Sequence, residues 1–336
     1  MKIVQVAPNH QVLPPPRDGG TERIVYEITE ALVKRGHDVI LYAPKGSTSS
    51  ARLMPYPFAS RDDHKIAAYV LKTMPRGFHL IHDHTFSSAI GVRRLRIPTV
   101  CTIHLARRNR VQHPVFVSSA ARKRWGNGVG TVIYNGLKAE EYQYDQEKDD
   151  YLLFLGRVIA DKGVLEAIEV AEKTDNRLVI AGPMHDKVLF KQKIAPRLKN
   201  NPKLQYVGPV GGQQRQDLLK RARCLLFPTR WQEPFGLVMI EAMVCGTPVL
   251  GLANGAVPEV LAGFPHFICQ SVNEMVAKVQ HLPEKSGSAQ LRAYVANHFT
   301  VDRMIDRYVN LYQKVILQAR EPRVIRKTTP KNLVKT

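Results

Sequence analysis

Glu233 and Glu241 stand eight residues apart in the run Glu233-Pro234-Phe235-Gly236-Leu237-Val238-Met239-Ile240-Glu241. The apolar stretch Cys224–Phe227 before them reads as a strand and Pro228–Pro234 as a loop, with a helix expected from about Phe235 to Val244. Amides at a helix start have no internal partners and lie at the positive end of the dipole, which makes that start an anion site. At 1.5 Å per residue the two carboxylates would stand roughly 12 Å apart, about the reach from one sugar to another across a pyrophosphate. One could grip hydroxyls at one end of a nucleotide sugar and the other the ribose. An ordinary capped helix would carry the same residues, so the pair gains its meaning from what surrounds it.

Leu152–Leu155 reads as a buried strand ending in Gly156-Arg157, and Asp161-Lys162-Gly163 opens the next helix. An arginine and a lysine five apart at the carboxyl end of a strand suit a diphosphate, as a planar fork plus a point charge. Near the N-terminus, Asp18-Gly19-Gly20-Thr21 follows a Pro-rich loop and precedes a helix. Two adjacent glycines there let the backbone approach a ligand closely. His82 and His84 share a strand face, and His104 could approach them. A zinc site on these three is conceivable, but no fourth ligand is evident and no metal is expected. Trp125 and Trp231 stand near basic residues and could stack on bases; Trp231 reads instead as part of the wall of the Pro228–Pro234 loop.

An alternation of strands and helices must position these residues. Lys2–Ala7, Asp38–Ala43, His79–Asp83, Thr99–Ile103, Val115–Ser118 and Gly130–Ile133 read as strands, and Thr21–Arg35 as an amphipathic helix. Lys138–Asp150 is polar and acidic, a linker, after which the pattern restarts. Strands are expected at Tyr151–Leu155, Leu178–Ala181, Leu204–Val207, Cys224–Phe227 and Pro248–Gly251. Helices are expected at Gly163–Glu172, around Phe190–Leu198, at Arg215–Arg221 and at Phe235–Val244. Strand–helix–strand units with short turns imply parallel sheets wrapped by helices. The fold class is therefore α/β, with two doubly wound domains facing across a cleft, over residues 1–139 and 140–300. An amphipathic helix over 301–318 crosses back to the first domain, and a basic tail over 319–336 is expected to be mobile. Ligands of such sheets bind at the carboxyl ends of the strands, which makes the cleft the default site.

Composition bounds the function. With 336 residues and 44% hydrophobic content the chain is globular rather than disordered, and no apolar stretch reaches the roughly 18 residues of a membrane span. The start MKIVQVAPNH lacks a signal-peptide pattern. Cys101, Cys224, Cys245 and Cys269 are scattered and read as reduced thiols, so a cytoplasmic chain is expected. The net charge of +20 is uneven. Residues 1–139 carry 21 Lys and Arg against 8 Asp and Glu, whereas 140–318 carry 22 against 20. The excess gathers in Arg93-Arg94-Leu95-Arg96, Arg107-Arg108-Asn109-Arg110 and Arg122-Lys123-Arg124. Such a field attracts nucleic acid, an acidic bilayer or an anionic substrate. Nucleic acid is disfavoured as a partner, since no helix-turn-helix, RNA-recognition or zinc-finger signature is present.

Taken with Thr102-Ile103-His104, Ile133-Tyr134-Asn135-Gly136, Ala181-Gly182-Pro183 and Cys245-Gly246-Thr247-Pro248, these motifs make the chain resemble the retaining glycosyltransferases of family 4, from Lys2 to about Val260. Its shortness resembles compact bacterial members of antibiotic pathways, such as the avilamycin one. The resemblance implies a GT-B fold, two Rossmann-like domains of which the first binds the acceptor and the second the nucleotide sugar. It also implies roles. Arg157 and Lys162 would bind the donor pyrophosphate and stabilise the leaving charge. Glu233 would hold the donor sugar and Glu241 the ribose, with Gly156 and the amides of Phe235, Gly236, Leu237 and Val238 around the sugar and phosphates. Gly19 and Gly20 would close on the diphosphate from the opposite domain, His104 would face the transferred sugar, and backbone near Val210 would meet the base. The implied reaction moves a hexose or N-acetylhexosamine from a nucleoside diphosphate sugar, UDP being the commonest choice and GDP or ADP remaining open. It uses no cofactor beyond that co-substrate and no divalent metal. The acceptor is not legible; the basic first half points to an anionic or lipid-linked one, reached by peripheral contact with an anionic membrane at the inner face of the cell membrane. A sugar phosphorylase, an epimerase and a nucleic-acid-binding protein are the alternatives.

Overall fold

Alternating apolar runs build the first sheet of the computed structural model, which describes residues 1–17, 19–105, 108–282 and 287–320. Asp18, Arg107 and the basic tail from residue 321 onward, all singled out in the sequence, lie outside the described residues. The first sheet holds β1 (Lys2–Val6), β2 (Asp38–Ala43), β3 (Arg52–Pro55), β4 (Leu80–Asp83), β5 (Thr99–Ile103), β6 (His113–Phe116) and β7 (Thr131–Val132). All pair in parallel, in the order β3-β2-β1-β4-β5-β6-β7. Strands β1, β2, β4 and β5 are buried almost throughout because helices cover both faces. These helices include α1 (Gly20–Lys34), α2 (Asp63–Thr73) and α3 (Ser119–Gly126).

Three elements of this half differ from the sequence reading. The strand expected at Val115–Ser118 lies at His113–Phe116, because Ser118 is the N-cap of α3 and its hydroxyl accepts the Ala121 amide at 2.9 Å. Strand β3 and helix α2 were not anticipated. The α2 signal was nonetheless present, as Asp62 accepts the His64 amide and Ile66, Ala67 and Val70 form the buried stripe.

The second sheet contains β8 (Leu152–Leu155), β9 (Leu178–Ala181), β10 (Leu204–Gly208), β11 (Cys224–Phe227), β12 (Val249–Leu252) and β13 (Ile268–Cys269), in the order β10-β9-β8-β11-β12-β13 and again parallel. Around it lie α4 (Val164–Lys173), α5 (Lys187–Leu189), α6 (Ala195–Asn200), α7 (Gly212–Arg221), α8 (Leu237–Val244), α9 (Val257–Val260), α10 (Val272–Gln280) and α11 (Ser288–His298). The single helix expected around Phe190–Leu198 is divided: a π turn, Phe190–Ile194, separates α5 from α6. Pro196, in the first turn of α6, cannot donate to a carbonyl one turn back, and the widened turn directly precedes it. Strand β13 and helices α9 and α11 are absent from the sequence reading, being short or weakly periodic, whereas α10 carried a signal in its Ser271 cap, which accepts the Glu274 amide at 3.1 Å.

The chain passes between the two sheets twice, side by side. Leu137 donates its amide to the Phe299 carbonyl at 2.9 Å and accepts the Val301 amide at 3.1 Å. Helix α12 (Val301–Arg320) then returns to the first sheet, burying Met304, Ile305, Tyr308, Tyr312 and Val315 in the core that contains α1. Arg35, at the end of α1, pairs with Asp306 at 2.6 Å and Asp302 at 3.3 Å.

In both sheets the first strand in sequence, β1 or β8, is flanked by strands whose connections run in opposite directions. The loops leaving the carboxyl ends on either side of such a point open a crevice. In the first sheet these are the loops after β1 and β4, carrying Gly19 and His84. In the second they follow β8 and β11, carrying Arg157, Lys162 and Glu233.

Candidate active site

The two crevices face each other across a cleft of about 510 Å³. From the first half, Gly19, Gly20 and His104 line it. From the second come Gly156, Arg157, Lys162 and Glu233, together with Phe235, Gly236, Leu237, Val238 and Glu241. The side chain of Val210 is buried in the second core, which leaves only the backbone there for the expected contact with the base.

Local conformation explains the loops. Gly19 precedes α1 with φ +138°, and a Cβ there would lie 2.8 Å from Pro15 Cβ, so only glycine fits. Gly20 packs against Leu237 across the cleft, and Leu237 touches both cores. Gly236 is left-handed, φ +84°, which delays α8 to Leu237 rather than the expected Phe235. The rise of 1.5 Å per residue therefore applies only beyond Leu237, and the separation of roughly 12 Å inferred for a continuous helix does not carry over. No side chain caps α8, so its first amides, at Leu237 and Val238, point their positive dipole end at the cleft. Phe235 itself is buried.

The charges are arranged in pairs. Lys162 Nζ lies 2.5 Å from Glu233 Oε2, and Trp231 Nε1 donates to the same oxygen at 3.1 Å. The ammonium also sits 5.0 Å from the Trp231 ring centroid. Lys162, read in the sequence as a diphosphate ligand, is thus bonded to the carboxylate read as a sugar ligand. Glu241, on the first turns of α8, pairs with Arg215 and accepts the Tyr142 hydroxyl at 3.2 Å. Burial pushes its pKa up, but the Arg215 and Arg23 guanidiniums more than offset this and hold it below the usual carboxylate range. Arg157 has no ion-pair partner among the described residues and lines the cleft. Three cationic groups the sequence reading did not assign, Arg17, Arg23 and Arg215, also line it. Their positions depend on tertiary packing of α1 and α7 against the loops, and no local motif marks them.

His82, His84 and His104 do come together, with the His82 and His84 rings 3.8 Å apart. Both nitrogens of His82 and of His84 already have hydrogen-bond partners, which leaves no lone pairs for the zinc site weighed from the sequence. Among the described residues, no group of three or more His, Cys, Asp or Glu is placed to hold a metal. Asn135, in the Ile133–Gly136 motif, lines the cleft with its buried Oδ1 unpaired among the described residues.

Two facing Rossmann-like sheets with a charged cleft between them define the GT-B class of glycosyltransferases. A family model for glycosyl transferases group 1 matches residues 139–295, and one for glycosyltransferase family 4 matches residues 18–141. Together with the fold, the two matches support a GT-B glycosyltransferase similar to those of family 4. An uncharacterized glycosyltransferase of Methanocaldococcus jannaschii is 30% identical over 151 residues, covering 39% of this chain and 38% of its own length. The chain thus spans well under half of that relative. The crystal structure of AviGT4, a glycosyltransferase involved in avilamycin A biosynthesis, superposes with a TM-score of 0.78 at 24% identity, covering 95% of this chain and 99% of that one. That of Anabaena HepE in complex with UDP-glucose gives 0.75 at 16% identity, covering 94% and 100%.

Proposed function

We propose that this protein transfers a hexose or N-acetylhexosamine, with retention of anomeric configuration, from a nucleoside diphosphate sugar to an acceptor hydroxyl. One observation carries the reading: Arg157, the Lys162–Glu233 pair, the Glu241–Arg215 pair and the uncapped start of α8 converge on one cleft at the crevices of two facing sheets. Arg157 and the Leu237 and Val238 amides bind the diphosphate, and Lys162 adds its charge as the leaving group departs. Glu233 accepts hydroxyls of the donor sugar and Glu241 those of the ribose. The bond from the anomeric carbon to the diphosphate breaks, the acceptor oxygen attacks on the same face, and its proton passes to the leaving phosphate oxygen. No protein nucleophile is required. The cations and amides neutralise the diphosphate, so the reaction needs neither a divalent metal nor a further cofactor. UDP is the favoured carrier, in keeping with the UDP-glucose bound by the structurally similar HepE.

The acceptor is anionic or lipid-linked, and the protein docks peripherally on an anionic membrane from the cytoplasmic side. Support comes from the first half. Arg93, Arg94, Arg96, Arg108, Arg110, Lys123 and Arg124 are exposed, interleaved with exposed Val92, Leu105 and Val129. They converge in space: Gly91 abuts Val111, and Val111 shares one apolar cluster with Trp125 of α3. Among the described residues no helix is long and apolar enough to cross a membrane.

Thermal unfolding across a panel of nucleotide sugars tests the donor, since a ligand of the folded state raises stability by RT ln(1 + [L]/Kd). A single carrier should stand out, and incubation with it should release nucleoside diphosphate at an undiminished rate in EDTA. A flat panel would remove the donor site, and strict dependence on Mg²⁺ or Mn²⁺ would remove the charge assignment.

A further inference from the structure

Behind His104 the first half buries a chain of polar side chains that reaches the C-terminal helix. His104 Nε2 is 2.9 Å from His84 Nδ1, and His84 Nε2 is 2.8 Å from the carboxamide oxygen of Gln5. The His82 ring lies tilted against His84, its Nε2 2.7 Å from Thr102 Oγ1 and its Nδ1 2.6 Å from the Tyr312 hydroxyl. Thr102 in turn meets the Tyr308 hydroxyl at 2.8 Å. Gln5 is on β1, His82 on β4, Thr102 on β5 and both tyrosines on α12. Gln5, His82, His84 and Thr102 are all within 1% of complete burial.

The direction of the hydrogen bonds follows from valence. A carboxamide oxygen only accepts, so His84 must carry its proton on Nε2. A neutral imidazole has one proton, which leaves His84 Nδ1 as an acceptor and obliges His104 Nε2 to donate. Burial keeps both rings neutral, lowering the pKa of His104 to about 3 and that of His84 well below its ordinary value. His104 Nδ1 is then the bare nitrogen, and among the described residues nothing pairs with it. A rotated Gln5 amide would reverse every link and turn that nitrogen into a donor.

We propose that Gln5 and His84 are positioning residues that hold His104 as its Nε2–H tautomer, presenting the Nδ1 lone pair to the cleft as an acceptor for a sugar hydroxyl. The α12 tyrosines brace the chain from behind: the Tyr312 hydroxyl lies beside the Gln5 amide as well as His82. The last helix therefore acts on the site through β1 and β4 as well as through packing. The tautomer rests on the orientation of the Gln5 amide, which leaves its buried Nε2 without a hydrogen-bond partner among the described residues; the tautomer's use toward a sugar rests on the function proposed above.

Long-range ¹H–¹⁵N correlation on the intact, ¹⁵N-histidine-labelled protein tests this, with His104→Gln assigning the signals. The expected result is a protonated Nε2 and a bare Nδ1 for His104. Gln5→Leu should shift His104 toward the other tautomer or a mixture and reduce kcat/KM about 5- to 10-fold, the scale of one hydrogen bond. Gln5→Glu, which still accepts from His84, should retain the wild-type pattern. A protonated Nδ1 in the wild type, or a Gln5→Leu protein with an unchanged pattern, would overturn the assignment. An altered pattern with unchanged kcat/KM would overturn the positioning role. The wild-type spectrum decides the tautomer even if Gln5→Leu does not fold, and it does so even if no nucleotide sugar is turned over, an outcome that would sink the proposed function alone.

Discussion

Lys162 Nζ and Glu233 Oε2 meet at 2.5 Å in the wall of the cleft, so two residues with separate expected duties are one unit. Both side chains are largely buried, and removing one partner of such a pair leaves the other charge uncompensated. A bound diphosphate would compete for the ammonium and free the carboxylate for sugar hydroxyls. Lys162→Ala and Glu233→Ala should each lower kcat by on the order of 10²-fold or more. Because the pair acts together, the double variant should lose little beyond the worse single one. Near-normal turnover in both single variants, with folding intact by circular dichroism, would remove the pair from the site.

Glu259 connects the two halves. From α9 it accepts the Ser119 amide at 2.8 Å and the Ala120 amide at 3.1 Å, both at the start of α3, and the Tyr134 hydroxyl at 2.5 Å. The turn leading into α9 is tied to the site, since the Ala256 amide donates to the Glu233 carbonyl at 2.9 Å. Glu259→Ala should lower stability by about 1 kcal/mol, as for a lost helix cap, and should widen the cleft. Urea titration would show the first effect and small-angle scattering the second, as a larger radius of gyration. An unchanged scattering profile would make Glu259 a cap without influence on closure.

Much of this arrangement was legible before the structure. Strands β5, β9 and β11 fall where their apolar and β-branched runs put them, and the Gly19-Gly20 and Glu233–Glu241 motifs announce loops at helix starts. What escaped depends on contacts distant in sequence. Nothing local tells that Lys162 will pair with Glu233, that Arg215 will meet Glu241, or that Tyr312 will reach His82, 230 positions away.

The buried histidines should make the protein acid-sensitive. Burial lowers the pKa of His82 and His84 well below 6.5 and that of His104 to about 3. In the unfolded chain each takes up a proton near pH 6.5, while in the folded protein each stays neutral until the pH is much lower. Their contribution to stability is therefore complete above pH 6.5 and lost as the pH falls toward the folded values. Each histidine contributes up to about 1.4 kcal/mol per pH unit within its window. Urea unfolding at pH 7 and pH 5 should show a smaller loss for His104→Gln than for the wild type. Equal losses would mean that His104 titrates normally in the folded state.

The basic face of the first half is the remaining charge to be explained. Its excess of +13 lies opposite the half that carries Arg157 and Lys162, where 140–318 carry only +2; of its arginines and lysines among the described residues only Arg17 and Arg23 line the cleft, so neutralising the donor accounts for little of the excess. Arg108 and Arg110 are exposed near Leu105, which itself lines the cleft, and Arg107, outside the described residues, adjoins them in sequence. Basic side chains near an anionic surface contribute roughly 1 kcal/mol each, and an exposed leucine or valine among them adds apolar contact with the interface. Replacing Arg107, Arg108 and Arg110 together by glutamine should reduce co-sedimentation with vesicles rich in anionic lipid, by on the order of 10²-fold in partition coefficient if all three contribute. It should raise the acceptor KM and leave the donor KM near its original value, because Arg108 and Arg110 are not among the cations that line the cleft. Rising salt should weaken the wild-type interaction in the same way, since these charges are exposed to screening. If neither sedimentation nor the acceptor KM moves, the basic face is only a solvated surface.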